Sequence, residues 1–322
     1  VKLAVLTKAR PDLLARLPKD LNYVIAAAGP DGRYGAEELA KLADVDALLV
    51  AAEPVHDQLL EACRHVKIVQ RLGVGYDTLD LAACSRRGVP ACNVAAVNKE
   101  AVAEFCLGMI LALAKRLPEA DRLTRQADWP AARLLTRQSF ELKGKTLGII
   151  GFGAIGAGLG RRARAFEMDI VYNDIRPIDP KDIEASGARF LEKPELYRAS
   201  DIISINTTKN PTTLNMVNAE ALAAMQPGAF LICAARGGIV DEAALRDALN
   251  AGRLAGAGID VFGQEPLPPD NPLLSARNVI MAPHLAGVTV ESTRRSLDWA
   301  LDNIRRVVER DEQPKWVLNG KV

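Results

Sequence analysis

The chain has 322 residues, of which 49% are hydrophobic and 25% charged. This is enough apolar material for two cores of ordinary domain size. The formal net charge of +1 at pH 7 gives no overall field that would draw nucleic acid or an anionic membrane.

Five cysteines (Cys63, Cys84, Cys92, Cys106 and Cys233) include no C-x-x-C pair, and their odd number argues against a disulfide framework. The three histidines, His56, His65 and His284, have no ligand-like spacing to them, so no structural metal is expected. The first apolar run is too short and too charged for a secretory signal. The longest strongly apolar segment, 105–114, falls short of the about 20 residues that a spanning helix needs. The expected location is the cytoplasm, with no membrane and no nucleic-acid partner.

Strand-like runs at 3–6, 23–26, 47–50, 67–70 and 91–94 alternate with helical patterns at 11–17, 36–43, 57–63 and 79–86. That alternation predicts a parallel sheet covered on both faces. A long helix is expected from Lys99 to about Arg125, with Asn98 as its N-cap and Glu100 in its first turn. Its centre, 105–114, is apolar nearly all round. Packing between domains or subunits accounts for this, and so does a central core helix. Residues 126–142 are read as irregular. A second series then begins, with strands at 146–150, 169–173, 202–205, 229–233 and 279–281, and a closing helix from 291 to about 310.

The expected fold class is therefore α/β, with two Rossmann-like, doubly wound parallel-sheet domains. The dinucleotide fingerprint lies mid-chain, so a whole α/β domain precedes it, and the closing helix can return to that domain. The prediction is a discontinuous, flavodoxin-like substrate-binding domain of 1–98 plus 289–322. An NAD-binding domain of 99–288 is inserted in it.

Gly151, Gly153 and Gly156 form G-x-G-x-x-G between an apolar strand and a helical run. The first glycine permits the tight turn, the second lets the backbone approach a pyrophosphate, and the third lets helix and strand pack closely. Asp174 ends the next strand at the spacing of a ribose-binding acid. A carboxylate there accepts from the ribose 2′-OH and repels a 2′-phosphate, which favours NAD. Arg176 keeps NADP open.

Arg236 and His284 follow predicted strand ends, where open α/β sheets bind ligands, and Glu265 follows a further apolar run. Arg236 carries a planar guanidinium that can bridge a carbonyl and a carboxylate oxygen, and the Gly-Gly after it suggests close backbone approach. His284 is a natural proton donor to a carbonyl undergoing reduction. Glu265 beside it would favour the imidazolium and orient the ring. Arg71, before a glycine-rich loop, either adds positive charge near a substrate or forms a structural pair.

The chain resembles the D-isomer-specific 2-hydroxyacid dehydrogenase family, including its phosphoglycerate dehydrogenase-like and hydroxypyruvate reductase-like members. The matching segments are RLGVGYD at 71–77, RGVP at 87–90, LKGKT at 142–146 and the glycine fingerprint. Further matches are Ser200-Asp201, ARGGIVDE at 235–242, residues 260–266 and PHLAG at 283–287. The resemblance implies interconversion of a 2-oxo acid and a D-2-hydroxy acid with NAD. Arg236 would bind the 2-oxo group, His284 would exchange the proton, and Glu265 would keep His284 protonated. Backbone amides of the loop containing Val74 and Gly75 would receive the substrate carboxylate. Asp260 would meet the nicotinamide end, and Ala154, Ile155, Thr207, Ala234 and Ala286 would line the cofactor. A homodimer is implied as well.

The family's H-x-P reads Asn206-Thr-Thr208 in this chain, and its usual asparagine two places before the Ala-Arg pair reads Cys233. A second reading of the same residues is an NAD(H)-sensing, corepressor-like interaction protein. Formate oxidation on this scaffold is disfavoured, because that branch carries glutamine where Glu265 stands.

Overall fold

The computed structural model describes residues 1–8 and 11–320. The chain forms two compact units, one of residues 1–98 with 290–322 and one of residues 99–289.

The first unit runs β1 (Lys2–Leu6), α1 (Pro11–Leu14), β2 (Asn22–Ala26), α2 (Ala36–Lys41), β3 (Ala47–Val50), α3 (Asp57–Ala62), β4 (Ile68–Arg71), α4 (Leu81–Arg86) and β5 (Ala91–Cys92). Its strands form one parallel sheet in the order β2-β1-β3-β4-β5, the flavodoxin order. Leu3, Leu6, Leu48, Leu49 and Ile68 are fully buried because helices cover both faces. Side chains fix the helix starts: His56 Nδ1 accepts from Leu59 N, and Asp80 Oδ1 accepts from Ala83 N. The tail of the chain covers the β5 edge. Cys92 bridges Val317 in antiparallel fashion, Leu318 N donates to Ala91 O, and Asn319 holds both Ala91 N and Val89 O. A paired edge is closed to other chains.

The second unit contains α5 (Lys99–Ala114), α6 (Leu117–Arg125), α7 (Trp129–Leu134), β6 (Thr146–Ile150), α8 (Ala154–Arg164), β7 (Asp169–Asn173), α9 (Pro180–Ser186), β8 (Arg189–Phe190), α10 (Lys193–Ala199), β9 (Ile202–Ile205), α11 (Ala219–Ala224), β10 (Ala229–Cys233), α12 (Glu242–Asn250), β11 (Leu254–Ile259) and β12 (Val279–Met281). Helix α13 (Val290–Val308) then belongs to the first unit. The seven strands are parallel in the order β12-β11-β10-β9-β6-β7-β8. Chain direction across the sheet reverses beside β6, at the switch point where dinucleotides bind in such folds.

Several local expectations are corrected. The helix expected over 99–125 is two helices. Arg116 takes φ +55° between them, and Pro118 sits in the first turn of α6, where a missing N–H costs nothing. Asn98 does not cap α5, since its Oδ1 has no hydrogen-bond partner among the described residues. The stretch read as irregular holds α7, started by Asp128 accepting from Ala131 N, with Pro130 in its first turn. Strands β8 and β11 were not anticipated. Strand β11 reads LAGAGI, and its glycines hide a central strand. A Cβ on Gly258 would lie 2.5 Å from Met109 Sδ and 3.1 Å from Ile232 Cδ1, so α5 packs almost on the strand backbone. The apolar centre of α5 is thus a core feature of its own unit, with Cys106, Met109, Ile110 and Leu113 buried against the sheet.

No helix among the described residues is long and apolar enough to cross a membrane. All five cysteines are free and buried. Burial pushes the Cys92 thiol up to about 12 and that of Cys84 up to about 11, so these sulfurs stay protonated at neutral pH.

Gly258→Ala is expected to force Met109 and Ile232 aside and to cost roughly 1–3 kcal/mol, as overpacking usually does. A thermal or urea melt of the variant should show the lower midpoint, and an unchanged melt would contradict the close packing of α5 on β11.

Candidate active site

Strand β6 leads into the glycine turn and α8. Gly151 takes φ +90°, and a Cβ there would lie 2.7 Å from the Asn206 and Thr207 backbone. A Cβ on Gly156 would lie 2.3 Å from Gly151 O. Only glycine fits either position. Helix α8 has eleven residues and no side-chain cap at Gly153, so its first-turn amides, those of Ala154 and Ile155 among them, face an approaching anion.

Asp174 follows β7, and its side chain is 6% exposed. Its Oδ2 accepts from Phe152 N at 2.8 Å and its Oδ1 from Arg176 N at 2.9 Å. These bonds hold the carboxylate beside the turn with lone pairs to spare. The Arg176 guanidinium is 3.7 Å away, largely exposed, and reaches over Gly153. Thr207 adjoins Gly151 through its backbone, Ala234 follows β10, and Ala286 is buried. Asn206 donates to Ser204 Oγ. Burial pushes the Cys233 thiol up to about 11. The glycine cradle, the uncapped helix start and the held acid fit a dinucleotide.

The three candidate chemical residues all belong to this unit. Arg236 follows β10 and donates to Ala235 O at 2.7 Å, among other interactions. A Cβ on the next residue, Gly237, would fall 1.6 Å from Phe262 O, so the Arg236 loop lies directly on the strand-end loop that carries Glu265. Glu265 Oε1 accepts from Phe262 N at 2.9 Å, and its Oε2 meets His284 Nδ1 at 2.7 Å. The imidazole is about half exposed. No group among the described residues pairs with its Nε2.

Two acids that sequence reasoning treated otherwise hold this arrangement. Asp260, fully buried at the end of β11, spends its carboxylate on the turn after β12. It accepts from Leu285 N at 2.8 Å and from Ala286 N at 2.9 Å, while its own carbonyl accepts from His284 N. His284 takes φ +58°, in the left-handed region that few residues other than glycine adopt, and these bonds hold it there. Burial raises the Asp260 carboxyl above the usual aspartate range, against the lowering pull of the two amides. Glu242 was not anticipated. It accepts from Gly263 N and Asn271 Nδ2, both at 2.6 Å, and so braces the Glu265 loop. Its position at the end of the ARGGIVDE run was the available signal.

In the first unit, Arg71 acts on main chain. Its guanidinium donates to Ala51 O and, at 3.0 Å, to Gly75 O, among other interactions. The Gly75 contact ties Arg71 to the main chain of its own loop. Val74 O accepts from Asn93 Nδ2 at 2.7 Å.

Residues 107–286 match the family model described as D-isomer specific 2-hydroxyacid dehydrogenase, NAD binding domain. The chain belongs to this family. It is 35% identical over 321 residues to a glyoxylate reductase of Thermofilum pendens, covering 98% of this chain and 94% of the relative. Among solved structures it superposes on holo D-mandelate dehydrogenase of Rhodotorula graminis with a TM-score of 0.88 at 26% identity, covering 100% of this chain and 98% of that one. It also superposes on an NADPH-dependent glyoxylate/hydroxypyruvate reductase of Sinorhizobium meliloti with a TM-score of 0.83 at 30% identity, covering 99% and 97%. The protein is thus an NAD(P)-dependent 2-hydroxyacid dehydrogenase, and the match to an NAD-binding domain falls on the unit that carries the glycine cradle.

The Asp260 shift has a thermodynamic consequence. Where the folded carboxyl titrates above the unfolded one, the native state binds the proton more tightly, and stability falls as pH rises through that window. Wild type should therefore lose stability relative to Asp260→Asn as pH rises from about 4, the unfolded aspartate value. The variant should also lose activity, since its amide NH2 opposes the two backbone donors of the histidine turn. Parallel melts across pH check the first outcome and steady-state rates the second.

Proposed function

We propose that this protein reduces a small 2-oxo acid of the glyoxylate class to the D-2-hydroxy acid, and catalyses the reverse oxidation, with NAD(H). The observation that carries the reading is the 2.7 Å contact between His284 Nδ1 and Glu265 Oε2, which leaves Nε2 as the proton-exchanging nitrogen. In reduction, His284 Nε2 gives its proton to the carbonyl oxygen, and the Glu265 carboxylate steadies the charged ring. Arg236 binds and polarises the 2-oxo group through its guanidinium. The amides of Val74 and Gly75 receive the carboxylate, and Arg71 shapes their loop.

Bound NAD(H) supplies or accepts the hydride. Gly151, Gly153, Ala154, Ile155 and Gly156 would hold its pyrophosphate, Asp174 its ribose, and Thr207, Ala234, Asp260 and Ala286 the remainder. The Asp174 carboxylate favours NAD over NADP. We also propose that residues 1–98 with the C-terminal helix are the substrate-binding domain. A homodimer fits α6 and α7, which bury none of their residues and expose Leu117, Trp129 and Leu134.

A panel of 2-oxo acids assayed by NADH absorbance tests the reading. Turnover should be abolished in Arg236→Ala while NADH binding, followed by fluorescence, persists. Full activity of that variant would remove Arg236 from the mechanism.

Glu265→Gln keeps the shape but not the charge. Its reductive kcat should fall about tenfold or more with NADH binding unchanged, because nothing then steadies the charge on the ring that gives up its proton. Wild-type turnover of that variant would refute the Glu265–His284 assignment.

A further inference from the structure

The first unit contains a buried line of carboxamides that none of the roles above employs. Asn303 on α13 is 1% exposed, Gln70 on β4 is 0% exposed and Asn93 after β5 is 8% exposed. Asn303 Nδ2 donates to Gln70 Oε1 at 2.7 Å and to Lys315 O at 3.1 Å, and its Oδ1 accepts from Lys315 N at 2.8 Å. Gln70 Nε2 donates to Arg71 O at 2.9 Å and to Asn93 O at 3.1 Å. Asn93 Nδ2 completes the line on Val74 O at 2.7 Å. Both amide hydrogens of Gln70 and of Asn303 are thereby used, which is what allows such groups to be buried.

The line ends on the loop read above as the carboxylate site. Asn93 holds the carbonyl of Val74, and Arg71 Nε holds that of Gly75. In a trans peptide the N–H points opposite to the C=O. The N–H groups of Gly75 and Tyr76 are therefore turned away from Asn93 and Arg71. Among the described residues, nothing accepts from the N–H groups of Gly73, Val74, Gly75 or Tyr76. Peptides flanked by glycine turn over readily unless held. A core built only for packing has no use for amides here, because aliphatic groups of the same size fill space without a desolvation cost. Directional bonds fix peptide orientation, and that is what a network of satisfied buried amides supplies.

We propose that the carboxamide line Asn303–Gln70–Asn93 is a positioning device for substrate binding, in which Asn93 aims the amides of the 73–76 loop at the substrate carboxylate. The proposal rests on the reading of that loop as the carboxylate site. Asn93 touches no reacting atom and is a positioning residue. The line also ties the loop to the C-terminal segment through Lys315.

The test compares glyoxylate with its methyl ester, which lacks the charge that the loop would bind. Wild type should prefer the acid. In Asn93→Leu the kcat/KM for the acid should fall about tenfold, the scale of losing one well-placed hydrogen bond to a charged group. The loss should appear in KM, with kcat, the ester reaction and NADH affinity unchanged. Gln70→Met, one step further from the loop, should show the same pattern at smaller size. Asn93→Ser, smaller and still polar, decides with it if Asn93→Leu does not fold, with retained turnover of the ester reporting a folded first unit. A variant that keeps the wild-type acid-to-ester ratio, or loses both reactions equally, overturns the positioning role. A wild type that does not distinguish acid from ester overturns instead the reading of the loop, and the proposal with it.

Discussion

One buried carboxylate organises the candidate site. Asp260 sits at the end of a central strand and accepts from two consecutive amides of the turn that follows the neighbouring strand. The bond between the two strand ends sets where the histidine backbone runs and keeps it left-handed. Glu265 then needs only to reach the ring from the other side. The arrangement concentrates cost at one residue, since burial opposes the charge of Asp260, and returns it as a fixed direction for His284.

Close backbone approach is the second constraint. The Gly151 turn lies against the Asn206–Thr207 backbone, Gly237 against Phe262, and Gly258 beneath Met109. Each contact joins loops or layers at a distance no side chain would permit. The loops that carry Arg236 and Glu265 thereby lie backbone against backbone. The sheet at the site is thus assembled from main chain, and the few functional side chains project from it.

Much of this was legible in the sequence, and the exceptions have physical causes. Arg236, Glu265 and His284 stood out because chemically apt residue types followed apolar runs, and the glycine spacing was readable because Gly151 and Gly156 stand where a Cβ would collide with main chain. Strand β11 was not, because Gly256 and Gly258 lower strand propensity where packing requires them. The break at Arg116 was masked by a helical pattern that continues past it, and Pro118 marks a start as readily as an interruption. The hold of Asp260 on the histidine turn was not readable, since the amides it accepts from lie 25 and 26 positions away in sequence. The Asn303–Gln70 bond spans 233 positions. No local pattern reports such a pairing, because a lone buried amide looks like any surface asparagine until its partner is known.

The tail that covers the β5 edge bears on how the molecule is made. A ribosome delivers strands β1 to β5 first, yet the residues that close their sheet, from α13 to Asn319, emerge only after the whole second unit. During synthesis the early sheet waits with one flank bare while a contiguous α/β unit can complete itself. The first unit to begin is therefore the last to be finished, and its exposed flank is the place where nascent chains would meet one another.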